Sequence, residues 1–222
     1  MTDGLFIGLF ALPFLASALS ALFLRRAPSA TVRRVALAAT AATTLCAVLL
    51  LPAIGDGPAI VIEWMPGAGP MTLSLGATGL YAALATSLAA CLVTLGIAPR
   101  QAAHAPLSTA LMLLALSAAN AAFLAEHFLA RYVALEVAAL CIALAPLVEL
   151  KGAHGGRTFW LIYLILRLGD VGLLSAILIL ADAGGTLEIA PALEAGAALG
   201  AVRLGWAVAG FLLAVWVKMA GW

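Results

Sequence analysis

Charge is what this chain has least of. Among 222 residues there are 11 basic and 10 acidic side chains, together 9%, against about 25% in an ordinary soluble domain. Hydrophobic residues make up 65%. A soluble domain of this size has too little interior to hide that much apolar surface. A water-soluble enzyme and a disordered tail are thereby excluded. The net charge of +1 offers no footprint for a polyanion, which excludes a nucleic-acid binder. Histidine and cysteine are equally scarce. The three cysteines, Cys46, Cys91 and Cys141, all lie in apolar runs, with no CxxC pair or adjacent histidine, so neither a metal site nor a disulfide framework is expected. His104, His127 and His154 fall at loop or interface positions and read as surface residues. No Ser-His-Asp set, HExxH or GxGxxG occurs. Lys151-Gly-Ala-His-Gly-Gly-Arg157 has the wrong order for a phosphate-binding loop and reads as a flexible turn. No cofactor, metal or catalytic centre is expected in this chain.

What remains is long apolar runs. Seven stretches meet the length of about 20 residues needed to span a bilayer: 4–24, 32–54, 71–98, 106–125, 128–148, 159–181 and 204–222. The expected fold class is all-α, a polytopic membrane protein of about seven spans. The first span has no basic residue before it, unlike a cleavable signal, and is expected to be retained. The third is expected to follow an interfacial stretch around Glu63–Trp64. Only Glu126 and His127 separate the fourth and fifth, which predicts a tight antiparallel hairpin. Pro13 and Pro146 are candidates to bend their helices, as membrane helices tolerate when neighbours satisfy the freed carbonyls.

The connecting loops alternate in charge. Arg25, Arg26, Arg33 and Arg34 make the first strongly positive; Asp56 and Glu63 make the second negative. Arg100 gives the third its charge and Glu126 the fourth. Glu149, Lys151 and Arg157 leave the fifth positive, and Asp182, Glu188, Glu194 and Arg203 leave the sixth negative. By the positive-inside rule this predicts the N-terminus outside and the C-terminus inside. The four arginines of the first loop read as this topology signal rather than as a lipid site.

A few charges fall inside spans, where an ionisable group costs several kcal/mol unless paired or hydrated and so marks a functional path. Glu136 lies about eight residues into the fifth span, roughly 12 Å deep. Arg167 and Asp170 lie about 8 and 11 residues into the sixth, at a spacing that places them on one helix face. Lys218 lies about 14 residues into the seventh. All four are expected in the middle layer. Arg131 is nearer the end of its span, can snorkel outward and reads as a bystander. Glu136 and Lys218 are the expected central pair, since two opposite charges held together stay ionised and a proton reaching either changes the other. A static ion pair that fixes helix packing is the competing reading.

These residues also carry a resemblance. Arg131-Tyr-Val-Ala-Leu-Glu136, Leu140-Cys141, Leu166-Arg167-Leu-Gly-Asp170-Val-Gly and Trp216-Val-Lys218-Met-Ala-Gly-Trp222 follow the order and spacing of the antiporter-like, proton-pumping subunits of respiratory complex I (the L, M and N type chains of NADH:quinone oxidoreductase). Relatives occur in Mrp cation/proton antiporters and membrane-bound hydrogenases. The chain looks most like the L type. The family pattern runs YxxWE, GLCSY, TRVGDV and GKSAQxPxxxWL; here Leu135 replaces the tryptophan and Met219-Ala220-Gly221 the Ser-Ala-Gln. Val61–Trp64 and Gly79–Leu80 fall where the family carries WxW and DGLS, with Thr78 in place of the aspartate.

The resemblance implies a non-redox subunit of a respiratory-type translocase in the cytoplasmic (inner) membrane. Glu136 and Lys218 would form the central pair of one half-channel, with Arg167 and Asp170 linked to it. Residues 1–105 would supply helices one to three, and 106–222 the first part of the proton-translocating repeat. Family members continue past the lysine into a broken helix and a second, inverted repeat. The expectation is therefore that other membrane subunits, including a chain supplying that second half, are partners, and that this chain alone completes no path. Two other classes fit parts of the sequence: a seven-helix retinal protein with Lys218 as its Schiff-base lysine, and a non-transporting scaffold or truncated fragment.

Overall fold

The computed structural model describes residues 2–24, 27–55, 57–63, 70–96, 105–150 and 153–219. Arg25, Arg26, Asp56, Trp64, Arg100, His104, Lys151 and Trp222, which entered the sequence reading, lie outside the described residues. The elements are α1 (Thr2–Leu22), α2 (Ser29–Leu50, continued by a 3-10 turn Leu51–Ala53), β1 (Ala59–Ile62), β2 (Met71–Ser74), α3 (Ala77–Gly96), α4 (Ala105–Leu124), α5 (Phe128–Glu149), α6 (Ala153–Gly184), α7 (Ile189–Gly196) and α8 (Ala201–Lys218). Among the described residues seven helices, all but α7, are long and apolar enough to cross a membrane. The expected fold class holds.

Three elements depart from the sequence reading. The third span starts at Ala77, because Met71–Ser74 pairs with Ala59–Ile62 as an antiparallel hairpin in register Ala59↔Ser74 to Ile62↔Met71. Each strand follows a proline, Pro58 or Pro70, whose ring disfavours helix in the residue before it, and Ile60, Val61, Ile62 and Thr72 are β-branched residues that suit a pleated strand. The sixth helix starts at Ala153, so the glycine-rich turn expected around Gly155–Gly156 is instead helical. Packing overrides the low helix propensity of glycine: a Cβ on Gly155 would stand 2.9 Å from the carbonyl oxygens of Pro146 and Leu150. The sixth loop contains the short helix α7, with Ala192 packed closely on Gly184.

The hairpin, the α4–α5 turn and the segment before α7 are stitched together by backbone pairing. Leu73 bridges to Ala125 and His127 to Glu188. The Glu126 N–H donates to Thr72 O at 2.8 Å, Phe128 N–H to Leu187 O at 2.8 Å and Ile189 N–H to Glu126 O at 2.9 Å. The second, fourth and sixth loops therefore lie at one end of the bundle, as strict alternation of spans requires. This stitching corrects the reading of His127. It is 1% exposed, caps α5 and accepts from the Ala130 N–H through Nδ1. His154 is exposed in the first turn of α6.

Helices α1 to α4 pack as one group, and α5, α6 and α8 follow through α4–α5, α5–α6 and α6–α8 contacts. A cluster of Phe6, Leu9, Ala47, Leu50, Leu80 and Leu124 fills the first group beneath the hairpin. Pro13 sits inside α1 and has no N–H to offer the carbonyl four residues earlier. That carbonyl, Leu9 O, instead accepts from Asn120 Nδ2 at 2.8 Å, and Phe10 O accepts from Ser117 Oγ at 2.7 Å. A polar pair on α4 thus repairs the gap a proline opens in α1.

Candidate functional site

The site is built where α6 meets α5 on one side and α8 on the other. Glycine sets how near α8 comes. A Cβ on Gly172 would lie 2.9 Å from Gly210 O, and one on Gly210 only 2.5 Å from Gly172 O. Two backbones touch there, as small residues permit between membrane helices. One turn away, a Cβ on Gly169 would strike Val217 at 2.9 Å. Asp170 and Lys218 lie next to these contacts in sequence and are brought together by them.

The four mid-span charges do converge, but in an order the sequence did not predict. Lys218 Nζ donates to Asp170 Oδ1 at 2.7 Å. Arg167 Nη2 contacts Asp170 Oδ2 at 3.1 Å and also contacts Glu136 Oε2. The expected direct pair of Glu136 with Lys218 is absent among the described residues. In its place stands a chain of four, Glu136–Arg167–Asp170–Lys218, drawn from three helices. Asp170 is its hub, shared between two cations and almost fully buried, with its side chain 3% exposed.

The distance of the charges from their helix ends differs from expectation, though they still lie level with the middle of α6. Because α6 starts at Ala153, Arg167 and Asp170 lie 14 and 17 residues into a helix of 32, about 21 and 26 Å along it. Lys218 is the last residue of α8, yet its contact with Asp170 places it level with the middle of α6. An apolar layer lies on either side of the charges. Toward the hairpin end stand Phe128, Ile177, Leu180 and Ala207, closed over by Ala192 of α7, with the rings of Phe128 and Phe211 6.4 Å apart. Toward the other end stand Ala139, Ala143, Ile162, Leu166 and Val217.

The network is incompletely satisfied. Among the described residues, Glu136 Oε1, Asp170 Oδ2 and Arg167 Nε are buried with no hydrogen-bond partner. The 3.1 Å approach of Arg167 to Oδ2 is thus a charge contact without hydrogen-bond alignment.

Two aromatic neighbours were not singled out from the sequence. Tyr132 precedes Glu136 by one turn of α5 and interacts with its carboxylate. Tyr163 precedes Arg167 by one turn of α6, and the guanidinium carbon lies 5.1 Å from its ring centroid. The i, i+4 spacing was the available signal for both. Arg131 stays apart from the network and donates through Nη2 to Ala125 O at 2.7 Å, toward the end of its helix. Cys141 is buried, and Cys46 and Cys91 are half-buried; all three are free thiols.

No protein-family model matches the chain, and no curated protein matches it by sequence. Solved structures do match. A chain of the membrane-bound sulfane sulfur reductase, an archaeal respiratory membrane complex, aligns with a TM-score of 0.72 at 17% identity, over 94% of this chain and 43% of its own length. A chain of respiratory complex I from Thermus thermophilus aligns with a TM-score of 0.77 at 24% identity, over 97% and 44%. A chain of the Mrp complex from Dietzia sp. DQ12-45-1b aligns with a TM-score of 0.75 at 20% identity, over 97% and 24%. The chain thus spans less than half the length of each of these three chains, and over that span it has the fold of the membrane subunits of complex I-like and Mrp-type assemblies.

Proposed function

We propose that this chain is a proton-conducting subunit of a complex I-like or Mrp-type membrane assembly, and that Glu136, Arg167, Asp170 and Lys218 form its relay. The observation that carries this reading is the four-membered charge chain at mid-span, with buried acceptors left open. A proton reaching Glu136 neutralises one of the two carboxylates that hold Arg167. The guanidinium then turns fully to Asp170. With its charge drawn to Arg167, Asp170 holds Lys218 less tightly, and the ammonium is released to hand a proton onward. Transfer of the proton from Glu136 to the neutral Lys218 amine restores both charges and resets the chain. The coupling is electrostatic and belongs to the group rather than to any one residue.

The same geometry supports the proposal of membrane partners. The side chains of Arg167 and Lys218 are 32% and 21% exposed in the isolated chain. Cations at that depth facing hydrocarbon cost several kcal/mol each, so a neighbouring subunit, such as one supplying a second half, is proposed to cover this flank. We further propose that residues 1–105 act mainly as support and 106–222 carry the relay, since all four charges lie on α5, α6 and α8. The N-terminus is proposed to face outward in a cytoplasmic membrane. The test is proton pumping by the assembled complex in proteoliposomes. Glu136→Gln and Lys218→Met are each expected to abolish it; intact pumping in both variants sinks the relay.

A further inference from the structure

We propose that Tyr163 is a positioning residue whose ring holds the Arg167 guanidinium in its bridge between Glu136 and Asp170. The contact stands on geometry; its consequence for proton flow rests on the relay reading above. An arginine that grips a carboxylate with two nitrogens orients itself, because the fork is rigid. Arg167 does not do this. The same nitrogen, Nη2, makes both ion pairs, and the buried Nε has no hydrogen-bond partner among the described residues. A guanidinium held at one corner can pivot. Its side chain is also a third exposed, and a long cationic side chain in a membrane tends to swing toward water. Something besides the carboxylates must hold its plane.

The ring of Tyr163 is placed to do so. It lies within the distance at which a π-face attracts a guanidinium, 5.1 Å from centroid to Cζ. The ring is itself braced. It stacks on Phe159 at 5.7 Å and 23°, meets Trp160 edge-on at 5.9 Å and 85°, and packs on the cluster of Ile162, Leu166 and Val217. Away from water a cation–π contact is stronger than at a surface. Loss of the ring should leave both ion pairs possible but no longer favoured over other rotamers.

The experiment uses the full chain in lipid nanodiscs with nitrogen-15 arginine, and the assembled complex in proteoliposomes. An immobilised guanidinium shows separate Nη signals, and a freely turning one shows a single average; Arg167→Lys identifies the signals. Separate signals are expected for the wild type and for Tyr163→Phe, which keeps the ring. Averaged signals are expected for Tyr163→Met, which keeps apolar bulk without a π-face. Proton flux is expected to fall about tenfold in Tyr163→Met, about 1.4 kcal/mol in barrier, and to stay within about twofold in Tyr163→Phe. Should Tyr163→Met not fold, Phe159→Leu removes the brace beneath the ring, and partial averaging is expected. Separate signals in Tyr163→Met, or in Phe159→Leu where that stands in, overturn the proposal. So does averaging in Tyr163→Phe equal to that in Tyr163→Met, which would assign the effect to the hydroxyl. Averaged signals with unchanged flux uphold the positioning role and overturn the relay instead.

Discussion

Two halves of this molecule bury polar side chains in the middle of a membrane fold, and they do so in opposite ways. In α1–α4 the buried groups are neutral and, except for Ser20 Oγ among the described residues, paired. Ser17 Oγ donates to Ala110 O at 2.7 Å, Ser117 to Phe10 O, and Asn120 to Leu9 O and to Ser87 Oγ. In α5, α6 and α8 the buried groups are charged, and four of their atoms, one on Arg131 and three in the network, lack hydrogen-bond partners among the described residues. A neutral, satisfied hydrogen bond between membrane helices joins them for about 0.6 to 2 kcal/mol and asks nothing of its surroundings. A charged, partly open network is costly to build and responds to each added proton. The first arrangement is suited to holding helices, the second to changing state.

Substitution at the hub should break this contrast most severely. Asp170→Asn removes the carboxylate shared by Arg167 and Lys218, leaving two cations against one anion. Proton flux by the assembled complex is expected to fall about 100-fold or more, the scale of losing a positioned proton-transfer group. Stability should drop by about 3–5 kcal/mol, as when one member of a buried ion pair is removed, read by unfolding in mixed micelles. Flux above a tenth of the wild-type value would remove Asp170 from the path.

Next in size is the backbone contact that sets the site's geometry. Gly210→Leu must push α8 from α6, because even a Cβ there lies 2.5 Å from Gly172 O. The expected cost is about 1–3 kcal/mol, with flux lost as Lys218 is drawn away from Asp170. A cysteine crosslinking series along α6 and α8 would report the separation. Normal flux with separated helices would show that the Asp170–Lys218 contact is dispensable.

The smallest effect belongs to the neutral half. Asn120→Leu leaves the carbonyl that Pro13 frees without its donor and should cost about 1–2 kcal/mol of stability with flux unchanged per folded complex. A specific loss of flux at full folding would place function in α1–α4 as well, and the contrast between the halves would fail.

Much of the fold was legible because a bilayer imposes a length on every apolar run. The hairpin was not, since Met71–Ser74 is apolar enough to pass as the start of α3, and only pairing with Ala59–Ile62 makes it a strand. The start of α6 was hidden by Gly155 and Gly156, which argue against helix until α5 packs over them. His127 looked like a surface residue because its neighbours in sequence are a turn; three loops far apart in the chain bury it. In the site, charge alone singled out Glu136, Arg167, Asp170 and Lys218. Tyr163 gave no such signal, because an aromatic in an apolar helix is ordinarily packing.

Composition and spacing determined that this chain lives in a bilayer, crosses it about seven times and carries four ionisable groups where hydrocarbon should be. That much follows from the one-dimensional cost of placing charge or backbone in oil. Which charge faces which was decided only in three dimensions. The partners depend on the axial offset between helices, and here close approach at Gly172 and Gly210 brings the end of α8 level with the centre of α6. This offset makes Asp170 the hub between Arg167 and Lys218, and leaves Glu136 one link further away than its sequence suggests.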